Sequence, residues 1–105
     1  MNASDSPAPA PGLPLHKLVC VTGSYVRLLM LREYVRQRQP MGPLDISRAV
    51  EISAGAAQKH LSEMRDLGVL VQGFGRLYSL APQWMPPPGS LHVDFGICLV
   101  RLDLL

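Results

Sequence analysis

The chain has 105 residues, of which 48% are hydrophobic and 17% charged, and a formal net charge of +2. This length predicts one small folded domain and excludes two independent hydrophobic cores. The sequence contains no run of 18 apolar residues and no signal-peptide pattern, which excludes a membrane span at this level of analysis. We therefore expect a cytoplasmic protein with reduced thiols.

The N-terminal region, residues 1–14, is rich in proline and small residues and almost uncharged. It predicts a disordered tail, because it offers too little apolar surface to offset the entropy of ordering. The next segment, Leu15–Thr22, fits a short helix and an edge strand equally well. Residues 24–39 predict a helix with Ser24 or Thr22 as its cap. This helix is apolar over more than one face, so it is expected to be covered on a second side by the chain's own tail or by another subunit.

Two short helices with a tight turn between them are predicted next. The first, Pro43–Val50, begins with a proline, whose missing N–H costs nothing in a first turn. The turn covers residues 51–53, and Ser53 is placed to cap the second helix, residues 54–67. Gly68 then ends this helix in the left-handed conformation.

A hairpin is predicted after these helices. Its strands are residues 69–71 and 77–80, joined across Gly73, Phe74 and Gly75. Helix, turn, helix and hairpin together predict an α+β fold, mainly α with a small β wing. The expected architecture is a winged helix-turn-helix over residues 15–81.

These segments resemble parts of the ArsR- and MarR-like bacterial transcription regulators. Residues 46–53 (ISRAVEIS) are similar to the turn pattern IAxxLGIS of those proteins, and residues 58–61 (QKHL) resemble the SRHL of their recognition helix. Residues 67–70 (LGVL) and 75–80 (GRLYSL) look like the helix exit and the return strand of the wing. The resemblance covers residues 24–81 and implies a fold that binds DNA.

The sequence departs from that pattern in two respects. Glu51 stands where the turn usually has glycine, so we expect a non-glycine residue with a positive φ, at a cost of about 1 kcal/mol. The cysteine box of the metal-sensing members is absent. The resemblance therefore does not imply a response to metal.

The region after the hairpin, residues 82–90, is rich in proline and predicts an extended connector. Trp84 lies within this connector. We expect it to pack back on the core, because a lone tryptophan mostly contributes buried area.

The C-terminal region, residues 91–105, predicts an apolar strand with a bulge near Cys98, and a helix over residues 97–105 is the alternative. A strand this apolar needs a pairing partner. That partner is either the Leu15–Thr22 segment or the same strand of a second subunit, so we expect a homodimer.

Cys20 and Cys98 are the only cysteines. Each is expected to be a small buried hydrophobic residue. The alternative is a redox bridge between them, or a metal site completed by His16 and His92.

No pattern in the sequence indicates catalysis. The histidines are scattered, and neither a nucleophile turn nor a glycine-rich phosphate loop is present. His60 is expected to be a packed or hydrogen-bonded structural residue. We therefore expect no enzymatic activity, no cofactor and no metal.

The predicted recognition helix would enter the major groove of double-stranded DNA with its N-terminal half. Gln58 and Lys59 are predicted to point away from the interior, where an amide can pair with adenine and an ammonium group with guanine or phosphate. Arg48 and Arg76 are predicted to clamp the DNA backbone. The full set of predicted DNA-binding residues is Arg48, Ser53, Ala54, Gly55, Gln58, Lys59, Ser62, Phe74 and Arg76.

Two functions remain open from the sequence. The first is a dimeric, sequence-specific transcriptional repressor that binds a pseudo-palindromic operator. The second is a winged-helix module that docks another protein and does not bind DNA itself. Charge favours the second, because residues 41–81 carry four cations and four carboxylates, whereas residues 15–40 carry a net charge of +4.

Overall fold

A computed structural model describes residues 12–105. Within them the chain forms four α-helices followed by two antiparallel β-hairpins. The helices are α1 (Leu15–Thr22), α2 (Tyr25–Gln37), α3 (Pro43–Val50) and α4 (Ala54–Asp66). The hairpins are β1 (Leu70–Gln72) with β2 (Tyr78–Leu80), and β3 (His92–Asp94) with β4 (Leu99–Arg101). Short 3₁₀ turns follow at Pro82–Trp84 and Leu102–Leu104. The predicted α+β class is confirmed.

The packed part of the chain begins before α1. The predicted tail covers residues 1–14, and residues 1–11 of it lie outside the described residues. Leu13 is buried, however, and its N–H donates to the carbonyl of Phe95 at 2.8 Å. The domain therefore includes Leu13, two residues before the predicted boundary, and Leu15–Thr22 is a helix and not a strand.

The central helix is α2, which packs against α1, α3, β2 and the C-terminal 3₁₀ turn. Ser24 caps it as predicted, its Oγ accepting the N–H of Arg27 at 3.3 Å. The helix ends two residues earlier than predicted, because Arg38 adopts a left-handed conformation with a φ of 52°. Its second side is covered by the chain's own C-terminal region, one of the two alternatives left open by the sequence.

The α3–α4 unit follows the sequence prediction closely. α3 has the predicted bounds, and the hydroxyl of Ser53 caps α4 by accepting the N–H of Ala56 at 3.1 Å. Glu51 has the expected positive φ, 59°, and Gly68 ends the helix with a φ of 82°. These turns depend on residues close in sequence, which is why the pattern predicted them.

The first hairpin, β1–β2, is joined to the start of α3. Leu70 pairs with Leu80, and Gln72 pairs with Tyr78. Met41 forms a further antiparallel bridge to Tyr78, with two N–H···O bonds of 2.9 Å. The hairpin therefore has a short third strand, supplied by the residue before Gly42.

The C-terminal region is a hairpin and not the single strand that the sequence predicted. His92 pairs with Arg101 and Asp94 with Leu99, so the two halves of the segment pair with each other. The chain reverses because Gly96 adopts a φ of 90° and its N–H donates to Oδ1 of Asp94 at 2.8 Å. The change of apolar face along residues 91–105 thus marks a turn, and no bulge is needed.

Trp84 packs on the core, as predicted. It is 8% exposed, its ring centroid lies 5.2 Å from that of Phe95, and its Nε1–H donates to the carbonyl of Gly68 at 2.9 Å. These contacts attach the second hairpin to the end of α4.

The prediction for the cysteines is wrong. Cys20 and Cys98 are both exposed, and both are free thiols. Cys20 lies on the exposed side of α1, and Cys98 lies in the turn between β3 and β4. Short-range periodicity could not assign either residue to the core or to the surface, because both positions depend on how α1 and the turn pack.

Candidate functional site

An open groove of about 690 Å³ lies between the start of α3, the N-terminal half of α4 and the start of β2. α3 and the residue before it form one wall, α4 the floor, and the hairpin the opposite wall. The lining residues are Gly42, Pro43, Leu44, Asp45, Arg48, Ala54, Gly55, Gln58, Arg76 and Leu77. Five of the nine predicted DNA-binding residues thus meet in one place.

The two walls are held together at Gly42. The N–H of Gly42 donates to Oδ2 of Asp45 at 3.0 Å, which fixes the first turn of α3. A Cβ at Gly42 would lie 3.2 Å from the carbonyl oxygen of Arg76, so the hairpin approaches the backbone closely at this point. The preceding residue, Met41, also accepts the hydroxyl of Tyr34 at 2.9 Å. Burial, reinforced by the nearby Asp45 carboxylate, raises the pKa of Tyr34 far above its ordinary value, so this hydroxyl keeps its proton.

The N-terminus of α4 is open to approach. Ser53, Ala54 and Gly55 are exposed, and a Cβ at Gly55 would meet no atom within 4 Å. Ala54 and Gly55 add almost no side-chain bulk. A large ligand can therefore come close to the helix backbone and to the positive end of the helix dipole.

Gln58 does not point freely away from the protein, which corrects the sequence prediction. Its Nε2 donates to Oγ of Ser62 at 3.0 Å and to the hydroxyl of Tyr78 at 3.1 Å. Its Oε1 is buried and has no hydrogen-bond partner among residues 12–105. The amide is drawn toward β2 because the hydroxyl of Tyr78, a residue 20 positions away, lies beside it. Lys59, in contrast, is exposed as predicted.

Three exposed cations surround the N-terminal half of α4. Arg48 comes from α3, Lys59 from α4 and Arg76 from the first hairpin. None of the three forms an ion pair within the part of the chain that is described. Their charge is opposed by Asp45 in the groove and by Glu51 in the turn, so the face is only mildly basic.

Two apolar side chains in the groove, Leu44 and Leu77, were not among the predicted site residues. They are 59% and 41% exposed. The alternation of side chains along a strand could have identified Leu77 as a surface residue. It lies on the side of the strand opposite the buried Tyr78, and therefore faces outward. No comparable pattern identifies Leu44, since α3 is too short for its apolar face to be defined by periodicity alone.

The remaining predicted residues lie around the groove. Lys59 and Ser62 are on α4 but do not line the groove, and Ser53 is at the N-terminus of this helix. Phe74 is at the tip of the first hairpin and 96% exposed. Five of the nine predicted residues therefore line the groove, and the other four, Ser53, Lys59, Ser62 and Phe74, lie outside its lining.

Behind this face, Arg27 connects α4 to the rest of the helices. Its Nε donates to Nδ1 of His60 at 3.0 Å, its Nη1 donates to the carbonyl of Cys20 at 3.1 Å, and its guanidinium pairs with Glu63. Burial, together with the charges of Arg27 and Lys59, lowers the pKa of His60. His60 is therefore a neutral hydrogen-bond acceptor near pH 7, which confirms the prediction of a structural histidine.

Residues 12–105 contain no group of three or more His, Cys, Asp or Glu side chains that could hold a metal ion. None of the helices in this range is long and apolar enough to cross a membrane. No protein-family model, curated protein or solved structure matches the chain.

Proposed function

We propose that the domain is a winged helix-turn-helix that binds double-stranded DNA, with α4 in the major groove and the first hairpin as the wing. One observation carries this proposal. Three exposed cations that form no ion pair with any other of residues 12–105, Arg48, Lys59 and Arg76, surround a helix N-terminus that has almost no side-chain bulk. A helix enters the major groove by its N-terminal half, and cations on its flanks contact the phosphates on either side.

Phosphate contacts are assigned to Arg48, Arg76 and Ser53. The two arginines lie on opposite walls of the groove, and Ser53 lies at the positive end of α4. Each neutralised phosphate contributes about −0.9 to the slope of log affinity against log salt. The affinity should therefore fall steeply as salt increases.

Base contacts are assigned first to Lys59 and second to Gln58. Lys59 is exposed and can donate to guanine without rearrangement. Gln58 must leave Ser62 and Tyr78 before it can pair with adenine, a loss of two hydrogen bonds worth about 1 kcal/mol each. The same rotation exposes the buried Oε1, which otherwise costs about 1–3 kcal/mol. The two effects are similar in size, so Gln58 is available at little net cost.

We propose further that the domain acts as a homodimeric transcriptional repressor in the cytoplasm. Large apolar side chains are exposed on α1 and the second hairpin: Leu15, Val19, Ile97 and Leu99. We propose that a second copy buries these side chains, and that the two α4 helices of such a dimer bind half-sites about 34 Å apart. Sedimentation at tens of micromolar should give a dimer, and Leu99→Ser should shift it toward monomer. A parent chain that sediments as a monomer would remove the dimer and leave DNA binding to be tested separately.

The decisive test is selection of bound fragments from random duplex DNA. A symmetric consensus is expected, and Lys59→Ala should weaken binding to it by about 1–3 kcal/mol. Lys17→Ala removes the same charge from α1, which contributes nothing to the groove, and is the matched control. If no sequence is enriched, or if both variants bind as tightly as the parent, the proposal fails.

The apolar lining of the groove favours one second candidate, a module that docks a protein segment. Leu44 and Leu77 would contact such a segment, whereas phosphate contacts would not need them. The double variant Leu44→Ser, Leu77→Ser separates the two functions. DNA binding should survive in this variant, while docking of a protein should be lost.

A further inference from the structure

The tip of the first hairpin is a hydrogen-bonded turn that exposes the aromatic ring of Phe74 to solvent. The N–H of Gly73 donates to the carbonyl of Leu77 at 2.8 Å, and the N–H of Leu77 donates to the carbonyl of Phe74 at 3.3 Å. Gly75 follows Phe74 with a φ of 62°, and Arg76 after it does not have a positive φ, which is the pattern of a type II′ turn with Gly75 at the first central position. Phe74 is therefore the first residue of a hydrogen-bonded turn and is 96% exposed.

Among residues 12–105, almost nothing covers this ring. Both neighbours in the sequence are glycines, and a Cβ at Gly75 would meet no atom within 4 Å. The buried side chains of the hairpin, Leu70, Tyr78 and Leu80, all lie in its strands, and the connection between the strands is exposed. The turn therefore holds Phe74 beyond the buried part of the hairpin.

The charge around the tip suits a polyanion. Residues 70–80 contain no Asp or Glu, and Arg76, two residues after Phe74, is exposed and unpaired within the described residues. Arg65 reaches the hairpin from α4, its Nη1 donating to Oε1 of Gln72 at 2.7 Å, but its charge is offset by an ion pair with Asp66, so Arg76 is the cation that the tip offers. Arg76 belongs both to this tip and to the groove at α4, so a duplex held against α4 also meets the tip.

We propose that Phe74 inserts between two base pairs from the minor-groove side and bends the duplex. Apolar side chains that enter the minor groove unstack a base step and kink the DNA by about 20–90°, and a neighbouring arginine reads the same groove. Phe74 supplies the wedge and Arg76 the cation. The inference rests on the proposed function and adds the way in which the hairpin contacts DNA.

The test uses the full chain and a duplex carrying the selected consensus, labelled at both ends for energy transfer. The parent should shorten the end-to-end distance, and Phe74→Ala should abolish the shortening and weaken binding by about tenfold. Phe74→Leu keeps an apolar wedge and should retain most of the bend. Val71→Ala removes another exposed apolar side chain, from β1 and away from the tip, and should leave the bend unchanged.

A second readout locates the insertion. With 2-aminopurine placed at successive positions of the consensus, fluorescence should rise at one step flanking the α4 contacts, for the parent and not for Phe74→Ala. A duplex that stays straight in the parent complex, or bends equally with Phe74→Ala, would overturn the insertion and leave DNA binding intact. A parent chain that binds no duplex at all would overturn the proposed function together with the insertion.

Discussion

The two hairpins are alike in size and opposite in surroundings. Each has strands of three residues, and each connection contains a phenylalanine next to a glycine with a positive φ. Phe74 of the first connection is 96% exposed, whereas Phe95 of the second is fully buried against Trp84. The same local turn chemistry thus produced one free tip and one packed turn. Local sequence decides that the chain reverses, and only the packing decides what the reversal contacts.

The difference has a structural cause at the N-terminal end of the described chain. Residues 12 and 13 cross the second turn, where Leu13 donates to Phe95 and a Cβ at Gly96 would lie 2.6 Å from Cα of Gly12. In the first turn, by contrast, a Cβ at Gly75 would meet no atom of the described residues within 4 Å. We expect the second hairpin to be part of the cooperative core, and the first hairpin to be anchored only at its base.

The largest expected difference in the free energy of unfolding is between alanine variants of Phe95 and Phe74. Phe95→Ala should lower the free energy of unfolding by about 3–5 kcal/mol, because it leaves a cavity under Trp84. Phe74→Ala should change it by less than about 0.5 kcal/mol, since the ring is already in solvent. Urea denaturation of both variants measures this contrast. Similar losses in the two variants would mean that the first tip is also packed.

The next largest difference in the free energy of unfolding is expected between alanine variants of Gly96 and Gly75. Gly96→Ala combines a positive φ with a clash against Gly12, and should cost about 2–4 kcal/mol. Gly75→Ala has the positive φ alone, in open space, and should cost about 1 kcal/mol. The same denaturation experiment applies. Equal costs would show that the backbone crossing at Gly12 contributes nothing.

A smaller effect tests how the first hairpin holds α4. Tyr78→Phe removes the hydroxyl that accepts from Gln58, and should lower the free energy of unfolding by about 1 kcal/mol. It also frees the Gln58 amide, so affinity for the selected duplex should be maintained or increased. Binding measured by fluorescence anisotropy checks this second part. A large loss of DNA affinity would instead assign Tyr78 a direct part in the contact.

The smallest effect concerns charge on the second hairpin. Arg101, on β4, donates to Asp103 at 2.7 Å, and this hydrogen bond lowers the pKa of the Asp103 carboxyl. Because the folded state holds the carboxylate more strongly than the unfolded state, its contribution is present above about pH 4 and is lost as the pH falls below that. Asp103→Asn should therefore be slightly less stable than the parent at pH 7, and the difference should shrink at low pH. An NMR titration in which Asp103 has an ordinary pKa would contradict this.

The sequence by itself determined the parts of the fold that depend on nearby residues. The bounds of α3, the Ser24 and Ser53 caps and the left-handed Glu51 and Gly68 were all predicted, since each depends on contacts within about four positions. The likeness of these elements to a winged helix-turn-helix also came from the sequence. The DNA-binding role that this likeness implies stays a proposal.

The tertiary structure decided the rest. The C-terminal segment pairs with itself, Cys20 and Cys98 are exposed, and Gln58 turns toward Tyr78. The last two outcomes depend on which surface of the folded chain lies beside a residue distant in sequence. Helical or strand periodicity shows which residues share a face, but it does not say what covers that face. The turn at Asp94 and Gly96 is local, and the sequence prediction missed it by treating the change of apolar face as a bulge. The helix caps and the turn before α4 could thus be predicted, while the groove and the state of its glutamine could not.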